Sequence, residues 1–470
     1  MIHRSLSRRT GVASRAALGL ALALGVAAGG AVSTPAFAQK AAAPKLKLSK
    51  PFTAVAAPLQ GALEAAKAKP EVTAAKAQID AANAAQRAAT TPAARQQAQA
   101  QSDAAHAAMM AALAPEKAQL DAAFAAIAGE DDRFMAGNLA VNFGGLAQDP
   151  ATQKRGLDAM LQSGKVNPAD VARFRFFSGQ ISYQLRDYAG AQTALQEAVN
   201  AGYKENDAEA LLAEAYIANN QVPQGLTVLK AAMDARRAAG TPAPVGWYRR
   251  GLGAAYKAQL LDKASEFAMA LVQAYPTKDN WAGAITVVRE IGKFPAQETL
   301  DLMRLMDRTN SYVEERDYIE YIQAADPRRL PGEAQKVIEK GLAAGKLRAN
   351  DTFVTDSRAI ASQRVAADRA SLVALERDAR AGSATSATVS GAADAFLSYG
   401  DAAKAAELYQ IALGKPGADA ARVLTRMGIA QLDLGKYAEA QATFARVDGP
   451  RKALAQLWSI YAGQKAAGGA

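Results

Sequence analysis

Residues 428–444 read GIAQLDLGKYAEAQATF. Gly428 and Ala440 are small and stand twelve positions apart, and Phe444 follows Ala440 by about one helical turn. Gly435 lies between them, with the conformational freedom a tight turn needs. The stretch predicts two short antiparallel helices. Small residues at the crossing let the backbones approach, and a bulky side chain one turn on fills the groove beside them. The same frame recurs 35 residues earlier as Ala393, Gly400, Ala405 and Tyr409. Near the start of the pattern it is Gly179, Ala191 and Leu195, then Ala213, Asn220, Gly225 and Leu229 at a shift of 34.

Taken along the chain, the second small residue falls at Gly156, Ala191, Gly225, Ala264, Ala296, Ala334, Ala370, Ala405 and Ala440. These positions predict about nine units over residues 130–470, most regular over 172–276 and 386–452, and weakest around Ile322 and Arg358. A single helix pair cannot bury its apolar face, so neighbouring units must stack, and stability becomes a sum of unit and nearest-neighbour terms. The expected fold is all-α, an α-solenoid of antiparallel helix pairs. Abundant alanine agrees, because alanine loses no side-chain entropy in a helix.

The spacing resembles the tetratricopeptide repeat family, whose motif is W-x2-L-G-x2-Y, then A-x3-F, then A and P. Leu424, Met427, Gly428, Ala440 and Phe444 match it best, with Gln431 at the tyrosine site. The unit holding Tyr248, Ala264 and Pro276 keeps the closing proline but has Leu252 at its first small site. The whole chain is also similar to secreted sphingomonad-type alphaproteobacterial repeat proteins, notably at WYRRGL (247–252) and DLMRL (301–305). These resemblances imply architecture and compartment, and no established activity.

In tetratricopeptide arrays the first helix of each pair lines a concave groove. Carried onto this sequence, the groove positions are Arg173, Phe176, Gln180 and Tyr183 in one unit, and Arg249, Arg250, Tyr256 and Lys257 two units on. Basic and aromatic side chains on one groove suit an acidic or C-terminal-carboxylate peptide. The alternative is that Phe176 and Tyr183 belong to the inter-repeat core and that the arginines are solvated.

Ahead of the repeats, residues 1–38 read as a signal peptide. Arg4, Arg8, Arg9 and Arg15 precede an apolar stretch from Ala16 to Val32, and Ala36-Phe37-Ala38 is an A-x-A cleavage site. The stretch is too short and glycine-interrupted to make a permanent span. Arg8-Arg9 hints at twin-arginine export, but Thr10-Gly11-Val12 follows where an apolar pair is usual, so general secretion is expected. Residues 39–52 read as a basic linker. Residues 53–129, rich in Ala, Gln and Lys and cut into pieces by prolines 58, 70, 92 and 115, read as a helical segment capping the array, with a partly disordered spacer as the alternative. No later segment is apolar enough to span a bilayer, so a soluble periplasmic protein is expected.

The net charge of +10 is carried unevenly. The leader holds four arginines and no acid, residues 39–129 hold ten basic and six acidic side chains, and residues 130–470 hold 41 and 39. A nucleic-acid binder shows its excess as a patch on the folded domain, so this distribution argues against nucleic acid as a partner. There is no cysteine, hence no disulfide, thiolate ligand or cysteine nucleophile. Of two histidines, His3 leaves with the leader and His106 stands alone on an alanine-rich helix. The densest acidic run, Glu130-Asp131-Asp132, sits where carboxylates favour a helix N-terminus. No catalytic constellation, cofactor or metal pattern emerges. The reading is a periplasmic scaffold that binds a partner protein or peptide. An accessory factor in envelope polysaccharide export or outer-membrane assembly is the alternative, and a glycan or peptide hydrolase the most distant one.

Overall fold

The computed structural model describes residues 46–468, so the leader and the first half of the linker, 39–45, lie outside the described residues. Among the described residues there are 22 α-helices and no strand. The chain forms two compact units, divided between Val228 and Leu229.

In the first unit, α1 (Lys50–Ala66), α2 (Pro70–Ala88), α3 (Pro92–Ala112) and α4 (Ala114–Ala125) form the alanine-rich segment. Pro70 and Pro92 start their helices, where the missing N–H costs nothing. Pro58 departs from expectation and lies inside α1. The basic linker is also shorter than its sequence suggested. Phe52 is fully buried, and Ser49 caps α1. One core joins Phe52, Leu59, Ile79, Met109 and Leu120 to Phe143 of α5 (Glu130–Ala147), so the segment packs on the first repeat. The acidic run anchors this strap: the Asp131 carboxylate accepts from the Lys47 backbone N–H at 2.8 Å, and Asp132 accepts from Ser49 at 2.8 Å and Ala128 at 3.0 Å.

α5 pairs with α6 (Pro150–Gln162), α7 (Pro168–Gln184) with α8 (Tyr188–Asn200), and α9 (Ala208–Ala218) precedes α10 (Val222–Ala238). The pairs cross as the small residues require. A Cβ on Gly179 would lie 2.7 Å from Leu195, and one on Gly225 would lie 2.7 Å from the Ala213 carbonyl.

The second unit continues with α11 (Val245–Lys257), α12 (Leu261–Ala274), α13 (Lys278–Gly292), α14 (Ala296–Arg308), α15 (Glu315–Ala325) and α16 (Pro331–Ala343). It ends with α17 (Thr352–Ala379), α18 (Ser386–Ser398), α19 (Ala402–Leu413), α20 (Ala420–Asp433), α21 (Tyr437–Phe444) and α22 (Lys452–Ala466). The stretch that set the register folds as read: a Cβ on Gly428 would stand 2.5 Å from the Phe444 ring, Ala440 is fully buried, and Gly435 turns the chain at φ +74°.

Two of the nine small positions are not crossings. Ala296 is exposed as the first residue of α14. Ala370 is exposed on α17, a single 28-residue helix standing where a pair was expected. Alanine is as much at home on a solvated helix face as at a crossing, and in this chain it fits the frame by abundance alone.

The second unit also departs from a purely nearest-neighbour stack. α22 returns onto α12–α14: Gln464 donates to the Val272 carbonyl at 2.8 Å, Trp458 to the Asp301 carbonyl at 3.0 Å, and Tyr461 to the Arg308 carbonyl at 3.0 Å. One hydrophobic core runs from Ala268 to Ala462. The end of this unit is therefore packed against its beginning.

Candidate functional site

The consequence of closure is a helix with no solvent side. In α14, every residue from Thr299 to Met306 is buried, which a two-faced repeat helix does not allow. Asp301 and Arg304 lie in that run, so their charges need partners inside the protein. The charged partners come from α16, α18 and α20 and from the turn ahead of α22. The Arg426 guanidinium of α20 donates to Asp301 at 3.0 Å and to Asp394 of α18 at 2.6 Å. Arg451 reaches the second Asp301 oxygen at 2.7 Å. Arg304 forks onto Glu333 of α16 at 2.8 and 2.7 Å, and the Tyr321 hydroxyl donates to the same carboxylate at 2.8 Å. Tyr409 donates to Asp394 at 2.6 Å.

Burial alone would push these carboxyls up. The surrounding guanidiniums outweigh it: Arg426, Arg304 and Arg451 hold Asp301 below its ordinary range, Arg304 does so for Glu333, and Arg426 with the Tyr409 hydroxyl for Asp394. Asp301, Glu333 and Asp394 are thus tied to the buried arginines as charged pairs.

Beside this centre lies a cavity of about 520 Å³. Residues from the C-terminal halves of α14, α18, α20 and α22 line it, together with residues of α16. Arg304, Tyr321 and Glu333 reach it from the ion network, and Val337, Leu397, Ile429 and Leu432 supply an apolar lining. Its remaining carboxylates are matched: Lys340 holds Asp307 at 2.5 Å, and Arg308 holds Asp433 at 2.7 Å. Among the described residues no group of three or more His, Asp or Glu side chains is arranged to hold a metal ion, and no helix is long and apolar enough to cross a membrane.

The eight residues singled out from the repeat register lie elsewhere. Phe176 is 1% exposed and stacks on Tyr203 at 4.9 Å, so it is core and offers a ligand no surface. Tyr183 is half-buried against Tyr188. Arg173 pairs with Asp170 at 3.0 Å, and Gln180 is half-buried. On α11, Arg249, Arg250 and Lys257 are exposed and Tyr256 is half-buried, with Arg249 donating to Asn280 of α13 at 3.2 Å. The first four belong to the first unit and the second four to the second, and none lines the cavity.

Sequence reasoning missed the cavity because it assumed one phase throughout, with first helices facing inward. α17 replaces a pair with one helix, so the even-numbered helices that build the centre are second members of their pairs before it and first members after it. The available signal was Asp301 and Arg304, one turn apart within an otherwise apolar run.

The class this defines is an all-α helical-repeat protein whose second unit closes around a buried ion network. No protein-family model matches the chain, and no curated protein matches it. Among solved structures it is similar to that titled TPR2AB-domain:pHSP90-complex of yeast Sti1, at 17% identity over 63% of this chain and 96% of that one, with a TM-score of 0.23. It is similar to Naa15/Naa10 bound to HypK-THB, at 13% identity over 88% and 73%, with a TM-score of 0.24. It is also similar to the pentatricopeptide repeat protein PPR10 in complex with an 18-nt psaJ RNA element, at 14% over 87% and 66%, with a TM-score of 0.24. The fold assignment rests on the chain's own helix pairs.

Proposed function

We propose that this chain is an exported, non-catalytic scaffold of the cell envelope that holds a partner protein or peptide on its helix pairs. The observation that carries the reading is the use made of its charge. The interior ionisable groups are bound up in the ion network, whereas α11 carries Arg249 and Lys257 on its exposed face, on a helix held by close packing of Gly251 against Phe267. Exposed cations on a rigid helix suit an acidic segment of a partner. The leader supports the compartment: its basic start, short apolar stretch and Ala36-Phe37-Ala38 site are what export requires.

The test is capture from an envelope extract with the mature chain, beside an Arg249→Ala/Lys257→Ala variant, read by quantitative mass spectrometry. A protein enriched by the natural chain and lost with the variant supports the reading. Equal recovery by both, or no enriched protein, removes it. N-terminal sequencing of the protein recovered after expression of the full chain with its leader should begin at Gln39, and an intact leader would refute export.

A further inference from the structure

At the N-terminal ends of α14 and α20, opposite to the halves that line the cavity, two arginines stand beside the ion network without a carboxylate of their own. Arg329 lies in the turn ahead of α16, and its guanidinium donates to the Gln297 amide oxygen in the first turn of α14 at 3.0 Å. Arg426 donates to that same oxygen at 2.9 Å, so one neutral oxygen takes N–H groups from two guanidiniums. Arg426 also has Asp301 and Asp394, whereas Arg329 makes no ion pair among the described residues. Arg422 stands one turn before Arg426 on the same face of α20. Its side chain makes no ion pair or hydrogen bond among the described residues, although its Nε is buried. A buried guanidinium N–H without an acceptor is costly, and such a group marks a place where an acceptor from outside the chain is favoured.

The carboxylates at this end are already spent. Asp394 is held by Arg426 and Tyr409, and Glu298 by Arg451 at 3.3 Å. Asp419 caps α20 through the Arg422 backbone N–H at 3.1 Å, and Asp326 accepts from the Arg328 N–H at 2.9 Å. The local field is positive. Removal from water, and then the charges of Arg426, Arg304 and Arg422, press the Arg329 guanidinium below its ordinary range, and Asp394 offsets only part of this. The first turns of α14 and α16 add to the field, since neither Pro295 nor Leu330 caps its helix with a side chain.

We infer that Arg329 and Arg422, together with the Gln297 N–H2, form a binding site for a tetrahedral oxyanion of the phosphate type. The donors set the class. They come from three separate elements, the turn ahead of α16, the start of α20 and the start of α14. A planar carboxylate offers two oxygens to a single fork, whereas a phosphate presents an oxygen to each of three donors. Arg329 is exposed, so the anion enters from solvent, and its charge relieves the repulsion among Arg329, Arg422 and Arg426.

Inorganic phosphate is the probe, titrated into the full mature chain at low ionic strength and followed by calorimetry and phosphorus NMR line broadening. It should bind with a Kd of about 1 mM or tighter, and acetate at least about tenfold more weakly. Arg329→Gln and Arg422→Gln should each weaken phosphate by about tenfold or more, the loss of one charge-assisted contact. Arg329 is exposed, so its variant keeps the test decisive even where Arg422→Gln disturbs α20. Lys336→Gln removes the same charge from an exposed position elsewhere on the unit and should leave binding within about twofold. Glycerol phosphate distinguishes the source: tighter binding of the ester assigns the site to a phosphorylated molecule, tighter binding of phosphate to the free ion, and both uphold the site. No phosphate bound at about 10 mM, acetate bound as tightly as phosphate, or equal losses from Lys336→Gln and Arg329→Gln would each overturn the proposal.

Discussion

Replacing Arg426 with methionine tests the ion network at its hub. The side chain is fully buried and bridges Asp301 at 3.0 Å, Asp394 at 2.6 Å and the Gln297 amide at 2.9 Å. Asp301 keeps Arg304 at 3.1 Å and Arg451 at 2.7 Å, but Asp394 keeps, among the described residues, the Tyr409 hydroxyl and no direct ion pair. Leaving a buried carboxylate without its cation costs about 3–5 kcal/mol, a large share of the ~5–15 kcal/mol that holds a folded domain.

The pH dependence follows from the direction of the shifts. Arg426 holds Asp301 and Asp394 below their ordinary 3.8, so its contribution is fully present above that value and is lost as pH falls through the lowered one. In the variant, burial raises Asp394 instead, and proton uptake relieves it as pH falls. The difference between natural chain and variant should therefore be largest near about pH 7 and smaller near about pH 5. Urea unfolding followed by tryptophan fluorescence reads the right unit, since Trp247, Trp281 and Trp458 all lie in the second. Adding Asp394→Leu to Arg426→Met should restore part of the loss, because the uncompensated charge is then gone. A loss below about 1 kcal/mol, or a difference independent of pH, would refute the reasoning.

Other substitutions probe the register and the strap. Ala440→Leu forces methylenes into a fully buried crossing and should cost about 1–3 kcal/mol, whereas exposed Ala438→Leu should stay within about 0.5 kcal/mol; equal losses in urea unfolding would show the assigned register to be wrong. Because the second unit is closed, the Ala440→Leu loss should appear in the fluorescence of all three tryptophans together and not as local fraying at the C-terminal end. Asp132→Ala removes the acceptor for Ser49 and Ala128 and should cost about 0.5–2 kcal/mol, as the loss of a helix-cap acceptor does. Limited proteolysis should then cut first near residues 46–52, and an unchanged cleavage pattern would deny the strap its role.

The helix pairs were legible because close packing writes itself locally. Gly428, Ala440 and Phe444 meet within seventeen residues, and the turns at Asn220, Gly400 and Gly435 all take positive φ, as their residue types suggested. Residue abundance blurred the same signal at Ala296 and Ala370. Phe52 was illegible because a lone aromatic in a basic stretch has no period to announce its burial. The ion network was illegible for a different reason. Arg426 and Asp301 are 125 residues apart, and no local pattern says that the last helices return to the first. The candidate groove suffered from both: its positions came from the repeat frame alone, Phe176 is taken up by the core, and the interior of the second unit belongs to the other helix of the early pairs.

Closure of the second unit can be measured as a single contact. The chain has no cysteine, so a pair introduced at Gln273 and Gln464 gives an unambiguous site for a short bismaleimide. Gln464 hydrogen-bonds the carbonyl of Val272, the neighbour of Gln273, 192 residues back along the chain. Rapid intramolecular cross-linking in the native protein, abolished in urea, is the expected result. An open array would keep α12 and α22 apart, and native protein that stayed uncross-linked while each cysteine reacted singly would contradict the closed unit, its ion network and the cavity together.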